Sequence, residues 1–185
     1  MTHLLSHPFP EAGSFDVPLS PPSAMMIDER EFKDCMARLG FSVAVVTAGN
    51  GREELGRTVT SFMPLSSVPP RLIVSIDTHS RLVDFARATT SFSISFLSSD
   101  QDHVADAFAG KRGNIDRFSI ANWRRWPSGN RRLEDAALSL DCELSASIDV
   151  GDHILLVGTI IDAKGADDAK TLLWSNRSYG GFDKA

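Results

Sequence analysis

Between Asp28 and Gly40 the apolar positions recur at helical spacing. Phe32, Cys35, Met36 and Leu39 stand at i, i+3, i+4 and i+7, on one face. Asp28 and Glu31 resemble a capping box ahead of that face, and Gly40 is a natural stop. The period then changes to that of strands. "FSVAVVTA" (41–48) and "LGRTVTSF" (55–62) flank the turn "GNG" (49–51), and "RLIVSID" (71–77) follows. "SFSISFL" (91–97) alternates strictly, with Phe92, Ile94 and Phe96 on one face and Ser91, Ser93 and Ser95 on the other. It predicts a half-buried strand. "LSLDCELSASIDV" (138–150) and "HILLVGTIIDA" (153–163) predict a hairpin around Gly151 and Asp152, and "TLLWS" (171–175) a closing strand. Two short helices interrupt them, one opened by Ser80 with Asp84 and one by Asp100.

The sum is a mainly β fold, a barrel-like antiparallel sheet with a few short helices. A doubly wound parallel sheet fits poorly, because most turns are short and no strand leads into a glycine-rich phosphate loop. Residues 1–27, rich in Pro, Ser and Gly, have neither period and predict an extended arm. One domain is expected over 28–185.

Composition narrows the function. The chain has 185 residues, 42% hydrophobic and 23% charged, as in a soluble globular protein. A net charge of −5 leaves no footprint for nucleic acid or an anionic membrane, and no apolar run is long enough to span one. The start of the chain lacks a basic segment followed by an apolar one, so a cytoplasmic address is expected. Cys35 and Cys142 have no metal spacing and read as buried free thiols. The histidines at 3, 7, 79, 103 and 153 pair with no ligand at metal spacing, so no metal is expected.

Familiar catalytic sets are missing: no nucleophile elbow, zinc helix, Walker loop or dinucleotide fingerprint is present. "GRTVTSF" offers a different chemistry. Thr58 and Thr60 share a strand face and Ser61 turns out of it. Such hydroxyls and strand-end amides suit a planar heterocycle, though they also serve ordinary local turns. Ser80 and Arg81 at a helix start suit a phosphate, or a plain N-cap beside a surface arginine. His153 after a Gly–Asp turn is either structural or placed at a pocket mouth. "NWRRWPSGNRR" (122–132) mixes arginine with tryptophan. In an acidic chain it reads as a surface loop anchored by tryptophan rather than a nucleic-acid platform.

In order, these pieces resemble the flavin reductase family, the short NAD(P)H-dependent reductases that supply reduced flavin to a partner monooxygenase. The resemblance runs from Phe32 to Tyr179. "FKDCMARLGFSVAVVTA", "GRTVTSF…PP" and "RLIVSIDTHSRL" are similar to the family's opening segments. "NIDRF" (114–118), "W…G…L…A" (126–137), "LDCEL" (140–144) and "GDHILLVG" (151–158) follow in the family's order.

The resemblance implies an FMN-binding split barrel with Greek-key-like connections, a homodimer, FMN or FAD as cofactor and NADH or NADPH as donor. Carried over, Thr58, Val59, Thr60 and Ser61 line the isoalloxazine. Ser75, Ile76 and Asp77 line the ribityl side, and Ser80 and Arg81 the phosphate. His153 positions the nicotinamide, Tyr179 matches a C-terminal aromatic, and no residue acts as acid or base. Arg57 departs from the family's usual apolar residue; it either adds a phosphate contact or points away. Met63, Pro64, Val68 and Arg131 are further departures. The rival readings are a non-catalytic flavin carrier on the same fold and an enzyme of the pyridoxamine phosphate oxidase kind.

Overall fold

The computed structural model of the chain describes residues 12–166 and 168–181. Its elements run β1 (Gly13–Asp16), α1 (Glu29–Ala37), β2 (Phe41–Ser42), β3 (Ala44–Gly49), β4 (Glu54–Val59), β5 (Phe62–Ser67) and β6 (Pro70–Asp77). Then come α2 (Arg81–Thr89), β7 (Ser91–Phe96), α3 (Asp102–Phe108), a 3₁₀ turn (Arg117–Ile120), β8 (Trp123–Arg125) and β9 (Arg131–Leu133). The long pair β10 (Leu138–Asp149) and β11 (His153–Gly165) is followed by β12 (Leu173–Ser175) and β13 (Ser178–Gly180).

The main sheet has the order β4-β3-β7-β10-β11-β6-β5, with β1 added in parallel against β10 and every other pairing antiparallel. The mainly β expectation therefore holds, but the ladders do not close into a barrel. β4 and β5 are consecutive in the chain and lie at opposite edges of the sheet. Only Thr60 and Ser61 join them, a span of about 11 Å at most from Val59 to Phe62. The sheet must curl until its two edges nearly meet at that link.

Each face of the sheet carries a core. On one, Val46, Val74, Ile76, Phe92, Ile94 and Leu156 pack against Leu82, Val83 and Phe85 of α2. On the other, Val43, Val45 and Leu97 pack against Val104 and Phe108 of α3, with Leu133 and Leu172. Gly158 allows β11 to pass close over the first core. A Cβ there would lie 2.5 Å from Phe92 Cζ and 2.9 Å from Cys142 Cβ.

The structure corrects several sequence expectations. β7 is buried on both faces, because residues 122–139 fold over its serines. Trp126 Nε1 donates to Ser93 Oγ at 2.9 Å, Asn130 Nδ2 to Ser91 Oγ at 2.9 Å, and Ser139 Oγ to Ser95 Oγ at 2.9 Å. Small hydroxyls let that second layer approach, and every one of them gains a partner. The arginine–tryptophan segment is a hairpin, β8–β9, with Trp126 as its buried anchor. The strand expected over 55–62 ends at Val59, and a separate strand not foreseen from the sequence, β5, starts at Phe62 and runs to Ser67. Pro64 is tolerated because β5 is an edge strand, where a missing amide need cost no ladder bond. Regular structure begins before Asp28, at β1; residues 1–11 of the expected arm lie outside the described residues.

Cys35 is also a correction. Asp28 accepts from the Glu31 amide at 2.7 Å, as a cap should. Yet α1 buries nothing: Phe32, Met36 and Leu39 are exposed, and so is Cys35. The helical face has the expected period but no cover within the chain. Cys142 is buried, and burial pushes its thiol up to about 12. In a native-state titration with an aromatic disulfide reagent, Cys142 should therefore react only on unfolding, and Cys35, open in the single chain, ahead of it. Two fast thiols would contradict the placement of Cys142.

Among the described residues, no helix is long and apolar enough to cross a membrane.

Candidate functional site

A cleft of about 480 Å³ lies along the free edge of β4. Its floor is Leu55 to Thr58. One bank is the start of α2, with Ser80 and Leu82. The other is the end of α3, Phe108 to Gly110, with Arg117. An edge strand leaves part of its backbone N–H and C=O groups without a sheet partner, so the floor is a row of donors and acceptors. Gly56 shapes it. A Cβ there would stand 2.4 Å from Phe108 Cε1, so only glycine lets α3 settle this close.

Phe108 is held in turn by edge-to-face contacts with Phe118 at 5.1 Å and Trp123 at 5.3 Å. The 3₁₀ turn supplies two functions from adjacent residues. Asp116 accepts from the Phe118 amide at 3.1 Å and fixes the turn; Phe118 then enters the ring cluster while Arg117 lines the cleft.

Ser80 is the N-cap of α2, but its side chain makes no capping bond. Asp77 instead accepts from the His79 amide at 2.8 Å and shapes the approach to the helix. The Ser80 hydroxyl and the first turn of α2 thus remain at the cleft wall. Arg81 does not join them. It pairs with Glu53 at 2.9 Å on the exposed side and lies over the Phe85 ring at 5.7 Å.

A second hollow of about 190 Å³ adjoins the first through Thr58 and Ala109. Val43, Thr60, Lys111, Trp174 and Tyr179 complete it. Here the Tyr179 hydroxyl donates to Asp106 Oδ1 at 2.8 Å, and Lys111 Nζ pairs with the same oxygen at 2.8 Å. The Lys111 ammonium also lies 5.0 Å from the Trp174 ring centre and 5.2 Å from that of Tyr179. Lys111 holds the Asp106 carboxyl below its usual range, and that carboxylate raises the lysine. Burial, then the Asp106 carboxylate, push the Tyr179 phenol up, so it stays a neutral donor. These contacts pin β13 to α3.

The sequence-predicted residues fall into separate neighbourhoods. Arg57, Thr58 and Ser80 line the main cleft, and Thr58, Thr60 and Tyr179 the second hollow. The Thr58 hydroxyl donates to the Ala105 carbonyl at 2.7 Å, so it serves α3 first. Ser61 and Ser75 line a third, apolar hollow of about 270 Å³ with Phe62, Met63, Ile73 and Leu155. The Ser75 amide donates to the Ser61 carbonyl at 2.9 Å. Val59 and Ile76 turn their side chains into the core, so only their backbone can meet a ligand. His153 opens β11 opposite Asp77 of β6, its Nδ1 3.0 Å from Asp152 Oδ1; that contact lowers the Asp152 carboxyl. Sequence reasoning missed Phe108, Gly110, Lys111 and Arg117 as site residues. The run Gly110-Lys111-Arg112-Gly113, a basic turn directly after a helix, was the available signal. Among the described residues no cluster of His, Cys, Asp or Glu could hold a metal ion.

The fold and cleft define a mainly β protein whose open sheet edge lines a cleft with backbone amides, the hydroxyls of Thr58 and Ser80, and two arginines. The chain belongs to the flavin reductase like domain family, whose model matches residues 36–183. It is 27% identical over 154 residues to a protein of Cronobacter sakazakii named FMN reductase (NADH) RutF, covering 83% of this chain and 93% of that one. It is 29% identical over 149 residues to the Agrobacterium fabrum protein of the same name, covering 80% and 86%. Among solved structures, the NADH:FAD oxidoreductase SgcE6 of Streptomyces globisporus, in complex with NAD and FAD fragments, is similar with a TM-score of 0.79 and 25% identity. That match covers 86% of this chain and 98% of that one.

Proposed function

We propose that the protein reduces FMN or FAD with NADH or NADPH and passes the reduced flavin to a partner monooxygenase. The observation that carries this reading is the β4-edge cleft, with a free Ser80 hydroxyl and unpaired arginines, in a member of the flavin reductase like domain family. The donor set fits a phosphorylated heterocycle. Names of related proteins support both sides of the reaction: FMN reductase (NADH) for the curated relatives, and the flavin reductase component of a two-component tryptophan halogenase for BorF, a structure 26% identical to this chain.

A flavin held here would supply the redox chemistry, with its N5 as the hydride acceptor and the nicotinamide as donor. The chain's own residues bind and orient. The strand end from Thr58 to Ser61 meets the ring with its amides and the Thr60 and Ser61 hydroxyls. Ser75 to Asp77 face the ribityl side, Val59 and Ile76 through backbone alone. Ser80 and the α2 start receive the phosphate, with Arg81 at the rim. Tyr179, which shares a hollow with Thr58 and Thr60, would border the flavin, and His153 would orient the nicotinamide. No side chain is needed as acid or base. Three further parts belong to the same proposal: a split barrel, supported by the two sheet edges meeting at Thr60–Ser61; a single domain from residue 28 with the preceding arm, in the cytoplasm; and a homodimer, supported by the uncovered apolar face of α1.

Purified protein mixed with flavin and NADH tests the reading. Flavin-dependent loss of NADH absorbance is expected, and bound flavin without turnover would make the protein a carrier instead. His153→Ala should raise the KM for NADH severalfold and leave the flavin Kd nearly unchanged, as expected for lost positioning. Unaltered NADH kinetics would remove His153 from the site.

A further inference from the structure

We propose that Arg57 and Arg117 clamp a pyrophosphate, so that the cleft takes a dinucleotide rather than a mononucleotide alone. This deepens the flavin reductase reading and rests on it only for the ligand's identity.

Both arginines line one cleft. Arg57 comes from the β4 floor, and Arg117 from the turn on the α3 bank. Among the described residues neither is paired with a carboxylate, and none of those lining the cleft is acidic. Neighbouring arginines behave differently. Arg81 is held by Glu53, while Arg125 and Arg131 are both held by Glu54. Arg117 is moreover half-buried beside Phe108 and Gly110. A cation partly withdrawn from water without a counter-charge is unfavourable, and an arriving anion relieves that cost.

One phosphate monoester is already served by Ser80 and the first turn of α2 across the cleft. Two planar guanidiniums beyond that set exceed what a single phosphate requires. They match two linked phosphates, whose oxygens spread over a longer arc and accept bidentate bonds. Pyrophosphate occurs both in FAD and in the nicotinamide dinucleotides.

The test uses full-length protein with ADP and AMP as calorimetric probes. These differ by one phosphate and contain neither flavin nor nicotinamide. Wild type should bind ADP about tenfold or more tighter than AMP, the loss expected for a charge-assisted hydrogen bond. Arg57→Gln and Arg117→Gln should each erase the preference, whereas Arg57→Lys and Arg117→Lys should keep part of it. Circular dichroism confirms the fold of each variant; among the described residues neither arginine has a hydrogen-bond or ion-pair partner to lose. Equal binding of ADP and AMP, no binding of either, equal loss of both in the Gln variants, or an ADP preference that survives them would overturn the clamp.

Titrations with FAD, FMN and NADH then identify the source. Weaker FAD with unchanged FMN assigns the pyrophosphate to the flavin. A higher KM for NADH with unchanged flavin binding assigns it to the nicotinamide dinucleotide. Either result supports the clamp, and equal weakening of FMN and FAD overturns it. The underlying reading fails separately. Wild type that discriminates ADP through these arginines yet oxidises no NADH refutes the reductase and leaves the clamp standing, while turnover without ADP discrimination refutes only the clamp.

Discussion

Gly56→Val should abolish tight flavin binding and lower stability by about 1–3 kcal/mol, the usual cost of forcing atoms into a packed site. The first added carbon already falls 2.4 Å from Phe108 Cε1. Phe108 has nowhere to go: it is buried and sits against Phe118 and Trp123. Relief therefore requires α3 to move away from β4, and that movement reshapes both banks of the cleft. The Thr58–Ala105 hydrogen bond, 2.7 Å long, would be strained by the same shift. Denaturant unfolding and flavin fluorescence titration read the two effects. Gly40→Ala is the control, since a Cβ there meets nothing within 4 Å. Wild-type flavin affinity in Gly56→Val would show that the cleft floor is not the flavin site.

Trp126→Ala is expected to be the most destabilising single change away from the cleft, by about 3–5 kcal/mol. The indole is 4% exposed and carries the only polar atom of its side chain onto Ser93 Oγ at 2.9 Å. Truncation opens a cavity between the β8–β9 hairpin and β7 and strands a buried hydroxyl. Trp126→Phe keeps most of the volume and loses the bond, so it should cost less. The hairpin also reaches the active edge. Arg125 and Arg131 grip Glu54 at the start of β4, and the Thr47 hydroxyl donates to the Arg131 carbonyl at 2.8 Å. Trp126→Ala should therefore weaken flavin binding as well as the fold. A melting temperature unchanged from wild type would mean the hairpin is ornamental to the core.

Much of the fold was legible because its signals are local. The alternation in 91–97, the Gly–Asp turn at 151–152 and the Asp28 cap each act over a few residues, and each formed. What escaped depends on partners distant in the chain. The serines of β7 looked solvent-facing because their cover arrives from residues 122–139. The apolar face of α1 promised burial by its period, but period says only that a face exists, not that the same chain covers it. Pro64 hid β5, since a proline argues against a strand unless that strand is known to be an edge.

The site divides in the same way. Thr58, Thr60 and Ser80 announce themselves by residue type and position. Arg57 and Arg117 come from segments far apart in sequence, and only the fold gives them one cleft. Arg81, which stood in the more suggestive motif, was drawn off by Glu53. No pattern within "THSRL" reveals that competitor.

The open sheet has a consequence for solubility. Two unsatisfied strand edges are templates for uncontrolled addition of further strands, and proteins that keep such edges must obstruct them. Here Pro64 removes an amide from one edge, and Arg57 sets a charge in the middle of the other. Arg57 thus guards that edge against fibrous self-association, a duty separate from the proposed clamp.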